Sequence, residues 1–340
     1  MTRDEAIALS LVPGLSRVGL TERLRVDDPR LLEEARRLLE EARAARQRVE
    51  SIGVGVVPWN DPRFPSALLA VSDAPPALWY RGALEALGAP AVAIVGSRAA
   101  SPAALEMAAR LGSDLAASGI TVVSGLARGV DSAAHRGALR SGRTVAVLGS
   151  GVDRIYPREH TTLADAIARD GLILSEYPPG TAPLPFHFPM RNRLISGLSR
   201  AVVVVEANEK SGSLITAACA LEQGREVMAV PGNVLGGRNR GAHALIRDGA
   251  KIVEGVDDIV DELGWTDSAT RSDSKGTGGH RSTTSRDPVL SRMQPGQTYD
   301  LDGLADATGI NGVRLLPRLL ELELHGNVQR VEGGRFMRRI

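Results

Sequence analysis

The chain has 340 residues, enough for two or more domains, one of them with a full hydrophobic core. Hydrophobic residues make up 43% and charged residues 24%, the balance of an ordinary globular protein, and no apolar run reaches the ~18 residues of a membrane span. A formal net charge of +1 excludes polyanion binding through overall charge, so any such binding must come from local patches.

Cys219 is the one cysteine; it excludes a disulfide framework and, in an alanine-rich helical pattern, reads as a small core residue. The start, Met-Thr-Arg-Asp-Glu-Ala, has no basic region followed by an apolar one. A cytoplasmic protein without a membrane partner is expected.

Residues 1–50 read as a helical domain of their own: a periodic segment over 4–11, a turn at Val12-Pro13-Gly14-Leu15, a second segment over 18–24, and a helix over 30–49 rich in strong helix formers. Short helices around a Pro-Gly turn suggest a helix-hairpin-helix or sterile-alpha-motif-like unit. With little basic charge in the turn, packing or protein contact is favoured over contact with a DNA backbone. A strand begins at 52–57. Two turn-rich stretches follow, 59–65 and 74–82, read as an extension whose aromatics fill core.

From residue 91 the pattern becomes regular. Short apolar runs at 91–95, 120–123, 144–148, 171–174, 201–205, 226–230 and 251–253 alternate with glycine loops and helical segments. Ser101-Pro102 is an N-cap followed by proline at the first helical position, opening a helix to about residue 118. Parallel strands need helical crossovers, so residues 51–264 are predicted to form a doubly wound α/β, Rossmann-like, mostly parallel sheet. Residues 265–287 hold almost no apolar residue and read as a flexible linker. Residues 288–340 read as a winged-helix domain: short helices at 289–293 and 302–308, a turn at 309–312, a longer amphipathic helix at 313–324 and a β-hairpin wing.

In an open parallel sheet, ligands bind beyond the carboxyl ends of the strands, where helix N-termini present free N–H groups. Four loops fall there: Gly96-Ser97-Arg98, the stretch from Ser124 and Gly125 through Arg128 to Gly129, Arg191-Asn192-Arg193, and Lys210-Ser211-Gly212-Ser213. Small residues let amides approach an anion, hydroxyls add donors, and arginine forks match phosphate oxygens. Phe186 and Phe188, with Tyr156 and Tyr177, lie near the same edge in a chain only 3% aromatic. Aromatic faces beside phosphate donors suit stacked bases of a single strand.

Asp131 and His135, at i and i+4, read as orienting the Ser124–Gly129 loop or capping a strand. Glu176 and Glu206 could order the basic loops through ion pairs. The glycine spacing of a dinucleotide fold, a Walker loop, a nucleophile elbow and a metal-spaced His/Cys set are all missing, so no catalytic residue, metal or cofactor is expected.

These strings together resemble the DNA processing protein A (DprA/Smf) family. The matching stretches are Val95-Gly96-Ser97-Arg98; Ser124-Gly125-Leu126-Ala127-Arg128-Gly129-Val130-Asp131; Tyr156-Pro157; Ser175-Glu176; Phe188-Pro189 with Arg191-Asn192-Arg193; Val205-Glu206-Ala207; Lys210-Ser211-Gly212-Ser213-Leu214-Ile215-Thr216-Ala217; and Val230-Pro231-Gly232. They run in order through residues 61–263. The resemblance implies single-stranded DNA binding by an extended Rossmann fold, homodimerisation through that domain, and help in loading RecA recombinase during natural transformation, without enzymatic activity. One departure is Ala99–Ala104, where a Tyr-Gly pair is expected at the helix start. The front and end domains vary most between members, so their roles carry over weakly.

The alternative is a nucleotide-processing enzyme, because related sheets include phosphoribohydrolases. Those carry a Pro-Gly-Gly-x-Gly-Thr loop, where this chain reads Pro231-Gly232-Asn233-Val234. A third reading makes the winged helix a duplex-DNA regulator through Arg330, Arg335, Arg338 and Arg339. Its second helix carries only Arg314 and Arg318 with Glu321 and Glu323 nearby, which favours an accessory or protein-binding role.

Overall fold

The computed structural model describes residues 3–11, 23, 29–50, 52–265, 288–293, 297–324, 327–331 and 335–338. The chain divides into two compact units, residues 1–272 and 273–340. The turn expected at 12–15, the segment at 18–24 and the linker at 265–287 lie outside the described residues, apart from Arg23 and Trp265; Arg339 lies outside them too.

In the first unit, helices α1 (Arg3–Leu11), α2 (Pro29–Arg37) and α3 (Leu39–Glu50) precede β1 (Val54–Pro58), the one-turn helix α4 (Ser66–Leu69) and β2 (Ala77–Gly82). The alternating part follows as β3 (Ala91–Val95), α5 (Pro102–Ala117), β4 (Thr121–Ser124), α6 (Val130–Ala138), β5 (Thr144–Leu148), α7 (Thr161–Asp170) and β6 (Leu172–Ser175). It ends with α8 (His187–Gly197), β7 (Ala201–Val204), α9 (Ser213–Glu222), β8 (Glu226–Ala229), α10 (Arg240–Arg247), β9 (Lys251–Ile252) and α11 (Val256–Glu262).

The strands form one sheet in the order β1-β2-β6-β5-β4-β3-β7-β8-β9. From β6 to β9 every pairing is parallel, whereas β2 pairs antiparallel with both β6 and β1. The doubly wound parallel sheet read from the sequence is therefore present. The turn-rich stretches on either side of residue 70 deliver an antiparallel edge.

The uninterrupted apolar runs have a direct physical cause. Successive side chains of a strand point to opposite faces, and both faces of this sheet are covered. Ala93, Val95, Val202 and Val204 enter one core with Leu194 and Ala217 of α8 and α9, while Val92, Ile94, Ala201 and Val203 enter another with Leu111 of α5 and Ala134 of α6. The second face continues over β5, β6, β2 and β1, where Ala146, Leu148, Ile173, Trp79 and Val56 are covered by Ile7 of α1, Leu31 of α2 and Ala42 of α3. The N-terminal helices thus pack on the sheet.

Strand order runs outward from β3 through β4, β5 and β6 on one side, and from β7 through β8 to β9 on the other. The reversal between β3 and β7 leaves a crevice at their carboxyl ends, because the helices that follow them lie on opposite faces.

The second unit contains α12 (Pro288–Arg292), β10 (Thr298–Tyr299), α13 (Leu301–Thr308), α14 (Gly312–Leu324), β11 (Val328–Val331) and β12 (Arg335–Arg338). Its sheet order, β10-β12-β11, adds a two-residue strand too short to leave a periodic signal. Asp300 caps α13 by accepting from the Gly303 amide at 2.8 Å, and Gly309 ends that helix with φ +71°. Leu304, Leu315, Leu319, Val328 and Phe336 form the core of this winged-helix arrangement. Among the described residues, no helix is long and apolar enough to cross a membrane.

Candidate functional site

At the reversal point lies a cleft of about 460 Å³, walled by Gly96–Arg98 after β3, by Arg191 and Asn192 of α8, and by Lys210–Ser213 at the start of α9. Asn208 and Thr216 also line it. Three of the four predicted loops therefore converge here, and the fourth borders it through Ala127 and Asp131.

The loops are fastened to one another by the backbone. The Ser97 amide donates to the Glu206 carbonyl at 2.7 Å, and the Val130 amide donates to the Ser97 carbonyl at 3.2 Å. Gly129 has φ +74°, and a Cβ there would run into the Ser97 carbonyl, so only glycine lets the loops after β3 and β4 approach this closely. The Glu206 carboxylate accepts from the Ser101 amide at 3.2 Å, and Ser101 Oγ accepts from the Ala104 amide at 3.2 Å, which fixes the first turn of α5. Glu206 thus orders the loop after β3 through backbone amides, where the sequence suggested an ion pair.

Asp131 performs the orienting role expected of it. Its Oδ2 accepts from the amides of Gly125 at 3.1 Å and Ala127 at 3.4 Å. Burial pushes its carboxyl pKa up, opposed by the Arg191 guanidinium and by these amides. His135, fully buried, lies 2.7 Å from Thr144 Oγ1 through Nδ1. The threonine hydroxyl already donates to the Val122 carbonyl at 2.7 Å, so Nδ1 is the protonated nitrogen of a neutral imidazole. Burial, reinforced by Arg191, His160 and Arg136, lowers the His135 pKa to about 3.

The predicted cations separate into two groups. Arg98 and Lys210 are exposed on the cleft, and neither forms an ion pair among the described residues. The Arg98 guanidinium sits 5.5 Å from the centroid of the Phe188 ring. Arg128 is exposed beside them but holds Glu159 in a two-point ion pair, with Nη2–Oε2 at 2.8 Å.

Arg191 and Arg193 are different: both are buried. Arg191 Nη1 donates to the carbonyls of Gly125, at 2.9 Å, and Val147, joining the carboxyl ends of β4 and β5. Burial lowers its pKa to about 10, leaving it charged at neutral pH. Arg193 pairs with Glu176 at 2.6 Å and Asp73 at 3.2 Å in the interior. The phosphate-contacting role expected of Arg193 is thus corrected to an internal ion-pair role, because its charge is already matched by two carboxylates. Ser124 is corrected in the same way: it is fully buried, and its hydroxyl donates to the Ile94 carbonyl at 2.6 Å.

At the start of α9, Ser211 Oγ and Ser213 Oγ are 2.8 Å apart, Asn192 Nδ2 donates to the Gly212 carbonyl at 3.4 Å, and the Lys210 amide donates to Asn208 Oδ1 at 2.9 Å. A Cβ added at Gly212 would meet nothing within 4 Å, so open space lies directly in front of the helix. Sequence reasoning missed Asn208, although Asn two residues before Lys210 is the signature of an Asx turn.

Of the aromatics, Phe186 is 63% exposed, and Phe188 packs at 5.5 Å from Tyr156, which is 42% exposed. Tyr177 is buried and stacked on His187 at 4.0 Å, so it belongs to the core. Among the described residues, no group of three or more His, Cys, Asp or Glu could hold a metal ion. In the second unit, Arg338 Nη1 is anchored to the Leu290 carbonyl at 2.7 Å, and the Arg330 guanidinium lies 6.0 Å from the Phe336 ring centroid.

Comparison with known proteins adds to this geometry. Residues 55–264 match the family model of DNA recombination-mediator protein A, and residues 279–334 match the DprA winged helix domain. DNA processing protein DprA of Streptococcus pneumoniae is 47% identical over 204 residues, 60% of this chain and 72% of that protein. Protein Smf of Escherichia coli is 40% identical over 285 residues, 82% of this chain and 76% of its own. Among solved structures, DNA processing protein A of S. pneumoniae aligns with a TM-score of 0.63 at 40% identity, covering 73% of this chain and 87% of that one. DNA processing protein A of Helicobacter pylori, whose structure is described for its single-stranded DNA binding mode, aligns with a TM-score of 0.57 at 30% identity, covering 62% and 96%.

Proposed function

This chain belongs to the DNA recombination-mediator protein A (DprA/Smf) family, and from that premise we propose that its switch-point cleft grips the backbone of single-stranded DNA. In this reading the protein protects incoming strands and helps load RecA recombinase during natural transformation, acting as a homodimer through the sheet domain, with the winged helix as an accessory.

The observation that carries the reading is the placement of Arg98 and Lys210. Two exposed cations that form no ion pair among the described residues line one cleft, with the open N-terminus of α9 between its serine hydroxyls. An anion entering there meets two full charges and the positive end of a helix. Phosphate contacts carry no sequence information, so binding is sequence-tolerant. Phe188 offers a ring face beside Arg98, and Phe186 is a second exposed ring two residues before it, which favours unpaired bases over a duplex. The site is one for holding: Asp131, the acid that lines it, is engaged by two backbone amides.

The test is binding of the full chain to single-stranded and duplex oligonucleotides across a salt series. Tighter binding to the single strand, weakening linearly on a log–log salt plot, is expected. A duplex preference, or an affinity indifferent to salt, overturns the reading. Release of free base from a nucleoside monophosphate by the purified protein would establish the rival enzymatic reading.

A further inference from the structure

The switch-point cleft has a neighbouring cavity on its Arg98 and Phe188 side. A hollow of about 30 Å³ adjoins it, bounded by Arg98, Phe188, Arg128 and Tyr156, and beyond Tyr156 lies a cavity of about 590 Å³ walled by Arg154 and Arg158. Arg98 and Phe188 line both the cleft and the hollow, and Tyr156 lines both the hollow and the outer cavity. The three cavities therefore follow one another as a stepped groove in which neighbours share lining residues.

The chemistry along this groove repeats that of the cleft. The Arg98 guanidinium lies 5.5 Å from the Phe188 ring centroid, and the Phe188 ring lies 5.5 Å from that of Tyr156. Arg158 is exposed and has no acidic partner among the described residues, while Arg154 stands 3.8 Å from Asp153. Arg128, which lines the hollow, pairs with Glu159, and their side chains are 55% and 53% exposed. An ion pair this exposed is weak, and a phosphate presents its oxygens to a guanidinium fork much as a carboxylate does.

We propose that the groove is a continuous track for a longer single strand. Arg158 forms a second phosphate position, Tyr156 supports a base between the two positions, and Arg128 exchanges Glu159 for a backbone phosphate. Glu159 then acts as a brake, because its carboxylate must give up Arg128 and face the polyanion before the outer half is occupied. The track rests on the reading that the cleft holds single-stranded DNA.

The experiment uses the full chain with thymidine oligonucleotides of about four and about sixteen nucleotides, the span of site sizes seen in single-strand binders. The short one reports the cleft alone. With the long one, Arg158→Ala should weaken binding several-fold and lower the salt slope by about 0.7. Tyr156→Leu should weaken it by about five-fold or more, with Tyr156→Phe restoring it. Glu159→Gln should tighten binding and steepen the slope by about 0.7, a gain that misfolding cannot imitate. Arg158→Ala, at a residue that lines neither the cleft nor the hollow, should not change affinity for the short oligonucleotide. The track is overturned if these variants leave the long oligonucleotide unaffected, or if Arg158→Ala changes both lengths equally. Failure of the cleft reading is a different result: Arg98→Ala with Lys210→Ala then leaves the short oligonucleotide bound as before.

Discussion

The guanidinium of Arg191 occupies the space that any side chain at position 125 would need: a Cβ on Gly125 would stand 2.6 Å from Arg191 Cζ. The glycine in the Ser124–Gly129 loop is therefore an adaptation to an internal arginine. Gly125→Ala is expected to cost about 1–3 kcal/mol, as overpacking does. Denaturant unfolding measures that cost. A stability equal to the parent's would show that the guanidinium can move aside.

Arg193→Ala separates structure from binding. It leaves Glu176 and Asp73 without their shared cation in the interior, and breaking a buried pair from one side costs about 3–5 kcal/mol. The expected outcome is a large drop in unfolding free energy. Substituting a phosphate-contacting arginine would leave stability unchanged and lower only affinity, so unfolding and binding measured on one sample decide between the two roles.

Arg98→Ala with Lys210→Ala should behave in the opposite way. Both side chains are exposed, so unfolding should shift by less than about 0.5 kcal/mol. Single-strand affinity should fall, and its salt slope should flatten by about 1.4, twice the ~0.7 expected per phosphate contact. An unchanged slope would remove both residues from the phosphate path.

The buried imidazole of His135 predicts a pH effect. Its pKa is about 3 in the folded protein, against ~6.5 in an unfolded chain. Between these values the unfolded chain binds a proton that the folded one refuses, so this contribution is complete above pH ~6.5 and is lost as pH falls toward 3. Asp131, pushed upward by burial, acts in the opposite sense but is common to parent and variant. His135→Gln keeps a donor for Thr144 Oγ1 without the titration. The difference in unfolding free energy between parent and variant should therefore change by on the order of 1 kcal/mol per pH unit below 6.5. A pH-independent difference would refute the assignment.

Much of the sheet was legible because burial on both faces leaves a run such as residues 201–205 with no polar member, whatever its neighbours are. The loop positions were legible for a related reason, since glycine marks close approach, as at Gly129. The division of the arginines was not legible. Arg191, Asn192 and Arg193 are consecutive on α8, yet Arg191 reaches two strand-end carbonyls, Asn192 reaches Gly212, and Arg193 turns to Asp73 and Glu176.

From the sequence alone came the doubly wound class, the loops beyond the strand ends and the family, because these depend on local periodicity and on motifs read in order. The tertiary structure decided which cations are free to meet a ligand. Arg98, Lys210, Arg191 and Arg193 carry the same charge in the sequence, but desolvation and distant partners such as Asp73 commit two of them to the interior. Arg98 and Lys210 remain in water, where a phosphate can reach them.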